Sequence, residues 1–334
     1  MTCPVVISAS RRTDIPAYYA RWFLRRLEEG FCEVRHPFGT RALPPAHGRE
    51  AAPGLRGAAS PEAAAKGRPR SGLGRAQSCA PIRVSLFPED VAAIVFWTRN
   101  PRPLLPHLPE IWKRGYRFYF QFTLLGYPRA LDRHVPAPER AADCFDTIAG
   151  EYGPDAVNWR YDPIVLTTLT PEEYHLRAFG RLARRLEGRT RRAIVSFVDL
   201  YRKTLRNLRR AAFLAGFTFE EPCAERRKAL VDRLAEIAAA HGMRLEVCCE
   251  DALVGGRVEK AHCVDLAQLR AVAGARVPEL AIRPTRPECG CYASMDVGSY
   301  DSCLHGCAYC YAVSDPGRAI ARFAAWDPSF PHLP

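Results

Sequence analysis

The sequence predicts an α/β fold of six βα units, a partial (β/α)6 TIM-like barrel followed by a cysteine-rich segment. Three observations carry that reading. Six short apolar runs, β-branched or aromatic, recur along the chain, with polar or charged residues where each stops. Segments of helical period separate them. At 334 residues the chain can bury one large core. Strands alternating with helices imply parallel pairing through right-handed crossovers. Six units also suit an open sheet, and periodicity alone does not separate the two.

The first run, residues 5–10, leads into a helix signal: Thr13 or Asp14 as cap, Pro16 in the first turn, then Tyr18, Trp22, Phe23 and Leu27 at helical spacing. Residues 40–81 are Ala, Gly, Pro and Arg without a sustained period, a composition that buries too little apolar surface to offset its ordering entropy. They read as a disordered insertion or a coding artefact, and Cys79 within them is a poor ligand. Residues 91–97 form the second strand, followed by a proline-interrupted helix to about 115 and a third strand at 116–123. A helix over 137–152 and a strand over 157–161 come next. Thr170 and Glu173 have the spacing of a capping box at a helix start. Residues 193–198 are the fifth strand, 201–215 and 224–241 are helical, and Gly242 sits where a C-cap is expected. The sixth strand covers 244–249. Residues 1–260 are thus the barrel-like unit, and 261–334 a cluster-binding segment packed on its mouth.

A net charge of +12 invites a nucleic-acid reading. Only Lys66, Lys113, Lys203, Lys228 and Lys260 are lysines, however, and an Arg-heavy excess with abundant Ala, Gly and Pro is what GC-rich coding imposes. The dense basic runs at 181–192 and 202–210 lie on helical patterns, where they can be solvated faces. The N-terminus lacks a charged region followed by a long apolar run, and no stretch has the length of a bilayer span. A cytoplasmic protein without a membrane partner is the expectation. In that compartment clustered thiols read as metal ligands or catalysts before disulfides.

Parallel α/β folds collect ligands at the carboxyl ends of their strands. Here those ends carry Ser10, Arg11, Arg12, Thr13 and Asp14; Trp97, Thr98, Arg99 and Asn100; Gln121 and Thr123; Arg160 and Asp162; Ser196 and Asp199; Glu250 and Asp251.

The thiols are the sharpest signal. Cys303, Cys307 and Cys310 stand at a C-x3-C-x2-C spacing, with Tyr309 before the last. Three thiols are one short of a closed tetrahedral zinc site and leave one iron of a [4Fe–4S] cube open. Cys263, Cys289 and Cys291 form a looser set that could hold structural zinc or an auxiliary iron–sulfur cluster, with a fourth ligand not visible in the spacing. Cys248 and Cys249, in a strand pattern, read as inert buried thiols, as do Cys3, Cys32, Cys144 and Cys223. His305 is as suited to a loop role as to ligation.

The C-x3-C-x2-C run resembles the signature of radical S-adenosylmethionine (SAM) enzymes, though it follows the strands instead of the first one. Nearly the whole chain resembles the bacterial family named domain of unknown function eighteen-forty-eight, through residues 7–16, 95–101, 161–164, 261–263, 289–291 and 302–312. Residues 159–163 resemble the spore photoproduct lyase-like branch. The resemblance implies that Cys303, Cys307 and Cys310 bind the cluster, that SAM occupies the open iron, and that the backbone near Tyr309 approaches the adenine. It also implies an electron donor such as flavodoxin or ferredoxin. One electron would cleave SAM to methionine and a 5′-deoxyadenosyl radical. Arg12, Asp14, Arg160 and Asp162 are the candidates for holding SAM or substrate, each with an ion-pair role as the plain alternative. Three functions follow: a radical SAM enzyme of unknown substrate, the same chemistry on nucleic acid, or a non-catalytic iron–sulfur or zinc protein.

Overall fold

The computed structural model of the chain describes residues 3–35 and 80–334. All six expected strands are present: β1 (Val5–Ala9), β4 (Val91–Thr98), β5 (Phe118–Thr123), β6 (Val157–Ile164), β7 (Arg192–Phe197) and β8 (Arg244–Val247). Four further strands complete the set. β2 (Phe31–Val34) and β3 (Ile82–Ser85) pair antiparallel as a separate two-stranded ribbon. β9 (Val258–Lys260) and β10 (Met295–Asp296) extend the main sheet at its two edges. The helices are α1 (Ile15–Tyr18), α2 (Ala20–Glu29), α3 (Leu108–Lys113), α4 (Pro138–Tyr152), α5 (Glu172–Arg185), α6 (Arg202–Ala215), α7 (Ala224–Ala240), α8 (Leu266–Ala273) and α9 (Pro316–Ala324). The expected insertion at 40–81 lies outside the described residues except for its last two.

The main sheet has eight strands in the order β10-β1-β4-β5-β6-β7-β8-β9, and every pairing is parallel. It is open: β10 and β9 are edges and do not pair with each other, so no barrel closes. Two strands beyond the expected six come from runs too short to show a period. Met295–Asp296 belongs to the segment assigned to cluster binding, yet it adds a strand beside β1 through Ile7↔Met295 and Ser8↔Asp296.

The two faces of the sheet differ. One buries Ile7, Ile94, Phe96, Phe118, Phe120, Trp159 and Val195 against α2, α4, α5 and α7, whose Phe23, Phe145, Phe179 and Leu234 complete a large core. The other buries Val6, Val95, Tyr119 and Ile194 against Leu269 of α8 and the cysteines of the C-terminal quarter. Side chains alternate across the sheet, so each strand serves both cores. The second face also holds a buried polar layer. Arg192 donates to both Glu246 oxygens at 2.7 and 2.6 Å, and Asn158 and Gln268 exchange amide bonds at 2.8 and 2.9 Å. Four buried polar groups survive there because each has a partner.

One cap differs from expectation. Thr170 does not cap α5: its buried hydroxyl donates to the Val165 carbonyl at 2.7 Å, and Pro171 takes the cap position without a side-chain bond. Asp14 does cap α1, accepting from the Ala17 amide at 3.0 Å, and Gly242 adopts the left-handed conformation just past α7.

Candidate metal centre

The loop carrying Cys303, Cys307 and Cys310 runs between β10 and α9 and is fastened to the β5–α4 loop by backbone pairing. Asp132 and Cys307 form an antiparallel bridge; the Ala308 amide donates to Leu131 at 2.9 Å and the His134 amide to His305 at 3.0 Å. Gly306 turns the loop at φ +66°, and a Cβ there would stand 3.3 Å from the His134 ring and 3.5 Å from Arg133. Only glycine meets both demands easily.

Three side-chain anchors hold the loop from beneath. Arg99, at the end of β4, forks onto both Asp132 oxygens at 2.6 Å, and its Nη1 also reaches Tyr309 Oη at 2.6 Å and Cys307 Sγ at 3.0 Å. Tyr309 Oη donates to Asp132 at 2.6 Å. Asp14 accepts from Thr98 Oγ1, the Arg99 amide and His305 Nε2, each at 2.7 Å. His305 Nδ1 lies 2.9 Å from Tyr18 Oη. Both imidazole nitrogens are therefore engaged, and His305 serves as a loop anchor.

The three thiols are half-buried and free. Burial, then the neighbouring Asp14 and Cys310, pushes the Cys303 thiol up to about 12. Burial likewise raises Cys307, with Arg99 opposing it, and Cys310. Thiols in such surroundings stay protonated unless a cation shares their charge. Among the described residues, no group of three His, Cys, Asp or Glu side chains already has the arrangement that would hold a metal ion.

The remaining expected residues fall into two places. Arg12 pairs with Asp296 of β10 at 3.0 Å, and Asp296 also accepts from Ser8, Ser10 and the Arg11 amide. Burial alone would raise the Asp296 carboxyl, but Arg12 and Arg11 beside it hold it below the usual range. This locks the carboxyl end of β1 to β10. Arg160 and Asp162 pair with each other at the end of β6, and Asp162 also accepts from Ser196. Arg160 Nη1 reaches Cys263 Sγ at 2.9 Å. The four candidates thus do not meet at one point: Asp14 braces the Cys303 loop, Arg12 the β1–β10 edge, and Arg160–Asp162 the other cysteines.

Several residues of this framework had no sequence signal. Asp132 lies in a loop without a motif, and Asp296 in a two-residue strand. Arg99 stood among the strand-end residues but was not singled out. Cys248 and Cys249, read as inert, join Cys263, Cys289 and Cys291, with Sγ–Sγ distances of 3.7 Å from Cys248 to Cys249 and 3.5 Å from Cys263 to Cys248. Gly290 allows close approach: a Cβ would meet the His262 ring at 2.9 Å.

Part of the basic run at 181–192 is spent on ion pairs. Arg185 pairs with Asp143 and Asp146, Arg189 with Asp146, and Arg191 with Asp155. A surface hollow lined by Glu172, Glu220 and Arg226 contains no cysteine, and Arg226 pairs with both glutamates.

The family described as "Domain of unknown function (DUF1848)" matches residues 6–46 and 76–312. The chain belongs to DUF1848. The match takes in the strand-end residues, both cysteine sets and all but the first residue of the parallel sheet of this DUF1848 protein. No curated protein and no solved structure matches it. No helix among the described residues is long and apolar enough to cross a membrane.

Proposed function

We propose that this DUF1848 chain is a radical SAM-type enzyme whose cluster site is Cys303, Cys307 and Cys310. The observation that supports the reading is the donor set. Three free thiols share one braced loop, and the one imidazole in that loop is occupied on both nitrogens. Three thiolates without a fourth amino-acid ligand suit a [4Fe–4S] cluster with one open iron better than closed zinc. A cluster is larger than a single ion, so its ligands need not converge on one point.

When bound, such a cluster supplies one electron that cleaves SAM to methionine and a 5′-deoxyadenosyl radical, which takes hydrogen from substrate. The chain's own residues orient and shield. Arg99 brings positive charge to Cys307, and Asp132 and Tyr309 fix the guanidinium in place. Asp14 and His305 set the loop on α1 and β4. Nε of Arg99, Nε1 of Trp97 and Nη2 of Arg11 are buried donors with no acceptor among the described residues, and they suit a polar ligand at the carboxyl end of the sheet. The open parallel sheet, with the Cys303 loop braced at the carboxyl ends of its strands, is compatible with a partial barrel. An external one-electron donor of the flavodoxin or ferredoxin class is part of this reading.

The test is anaerobic reconstitution followed by iron and sulfide counting and a SAM-cleavage assay with dithionite. Wild type should release 5′-deoxyadenosine, and Cys307→Ala should fall to background. Turnover retained by that variant, or absent from iron-replete wild type, overturns the proposal.

A further inference from the structure

The five cysteines of the second set form a ring that the C-terminal loop takes no part in. Cys248 Sγ contacts Cys249 Sγ at 3.7 Å and Cys263 Sγ at 3.5 Å. Cys289 and Cys291 lie in the same buried cluster, where the Cys289 thiol interacts with those of Cys249 and Cys291, and Cys291 with Cys263. The sulfurs arrive from three separate stretches: the end of β8, the turn after β9, and residues 289–291.

Local backbone geometry is arranged to bring them together. In a strand, adjacent side chains point to opposite faces, so Cys248 and Cys249 could not both turn inward. The chain leaves β8 at Val247, and Cys249 takes φ 58°, a left-handed conformation that is uncommon for a residue with a Cβ. That step sets neighbouring thiols in contact. Gly290 lets residues 289–291 lie against residues 261 and 262, where a Cβ would stand 2.9 Å from His262 Nδ1 and 3.1 Å from the Ala261 carbonyl. His262 Nδ1 meets the Gly290 carbonyl at 2.5 Å, and the Tyr119 hydroxyl and Gln121 amide both donate to the Cys263 carbonyl, at 2.8 and 2.6 Å.

Positive charge is buried beside these sulfurs. Cys248, Cys263, Cys289 and Cys291 are buried, and none of the five is in a disulfide. Two guanidinium groups face the sulfurs: Arg160 reaches Cys263 Sγ at 2.9 Å, and Arg11 carries its charge beside Cys291 and Cys263. A thiol is a weak acceptor, and burying a guanidinium against it regains little of the lost hydration; a metal-bound thiolate is a strong partner. The same two side chains flank Trp97, Arg11 at 4.6 Å and Arg160 at 5.1 Å from the ring centroid, which fixes their direction.

We infer that this ring is a second metal centre, closed and thiolate-ligated, separate from the Cys303 loop. Its ligands are Cys263, Cys289, Cys291 and one of the adjacent pair Cys248 and Cys249. Four thiolates saturate either a zinc ion or the four irons of a [4Fe–4S] cluster. No position is left for a small molecule, and the centre braces the edge of the sheet. Each ligating thiol releases its proton to solvent on metal uptake, with no change of sulfur oxidation state. Either metal leaves the same excess negative charge, which Arg160 and Arg11 face. Loading turns the side chains from their sulfur-to-sulfur contacts towards the metal.

The experiment uses the full chain expressed with iron and zinc supplied and purified anaerobically. The variants are Cys303→Ala/Cys307→Ala/Cys310→Ala and Cys289→Ser/Cys291→Ser. The triple variant should retain either about one zinc without sulfide, or about four iron with matching sulfide, per chain. These two results distinguish the metal, and either supports the second centre. In the double variant that retained quota should be missing while the first remains. Alkylation of native wild type followed by peptide mass mapping gives a reading that does not depend on the folding of either variant. Cys263, Cys289 and Cys291 should resist modification until a chelator is added under denaturing conditions, and then react as free thiols. A metal-free triple variant that is folded, or native disulfides among the five, overturns the inference. Neither result touches SAM cleavage, so the two proposals fail separately.

Discussion

Arg99 and Asp132 form a two-pronged ion pair at 2.6 Å beneath the Cys303 loop, and the same Nη1 that reaches Asp132 also touches Cys307 and Tyr309. Both partners are largely buried, with side-chain exposures of 11% and 4%. Asp132→Asn should therefore destabilise the fold by about 3–5 kcal/mol, because it strands a buried guanidinium. Tyr309→Phe removes hydrogen bonds to both charged partners but strands no charge, and should cost less, about 1.5–3 kcal/mol. Urea unfolding of the three proteins checks the order. Equal effects would mean that the pair is solvated and carries no special strain when broken.

Asp14 accepts four hydrogen bonds that tie α1, β4 and the Cys303 loop to one carboxylate. His305→Ala should loosen the loop and lower iron per chain several-fold on reconstitution, whereas His305→Gln, which can still donate to Asp14, should keep most of it. Iron retained by both would show that the loop holds its shape without this anchor. Iron lost from both would point to direct ligation by the imidazole.

The six long strands were legible because each is an apolar run of β-branched or aromatic residues with a turn at its end. β9 and β10 were not, since three and two residues cannot display a period. The Cys303 loop was legible from spacing alone, because its thiols are local. The ring was only half visible. Cys263, Cys289 and Cys291 stood out in a cysteine-dense stretch, but Cys248 and Cys249 sat at the end of a good strand. A strand pattern hides a left-handed step at its last residue, and that step turns the pair towards the ring. Asp132 and Asp296 carry no sequence mark at all, since their roles arise from partners 33 and more than 280 residues away.

His175 is fully buried, with Tyr161 Oη 3.0 Å from Nδ1 and the Val165 carbonyl 3.2 Å from Nε2. Burial lowers its pKa from 6.5 to about 4. The unfolded chain binds a proton below pH 6.5 that the folded chain refuses until about pH 4. This histidine's contribution is therefore intact above pH 6.5 and is lost as the pH falls towards 4, by about 3 kcal/mol in all. His175→Gln should flatten the stability profile in that window while leaving the carboxylate-driven loss at lower pH. Parallel profiles for wild type and variant would show that the imidazole is hydrated in the fold.

Two glycines make a matched pair. Gly150 is exposed in α4 with nothing within 4 Å of an added Cβ, so Gly150→Ala should stabilise by about 0.5–1 kcal/mol through helix propensity. Gly290 stands between two ring cysteines, and the same added methyl would meet the His262 ring at 2.9 Å and the Ala261 carbonyl at 3.1 Å. Gly290→Ala should destabilise by about 1–3 kcal/mol, since a backbone carbonyl cannot give way as a flexible side chain does. The two substitutions are chemically identical, so thermal melts of both separate packing from composition. If Gly290→Ala melts no lower than wild type, residues 289–291 do not press on residues 261–263, and the ring is looser than the sulfur distances indicate.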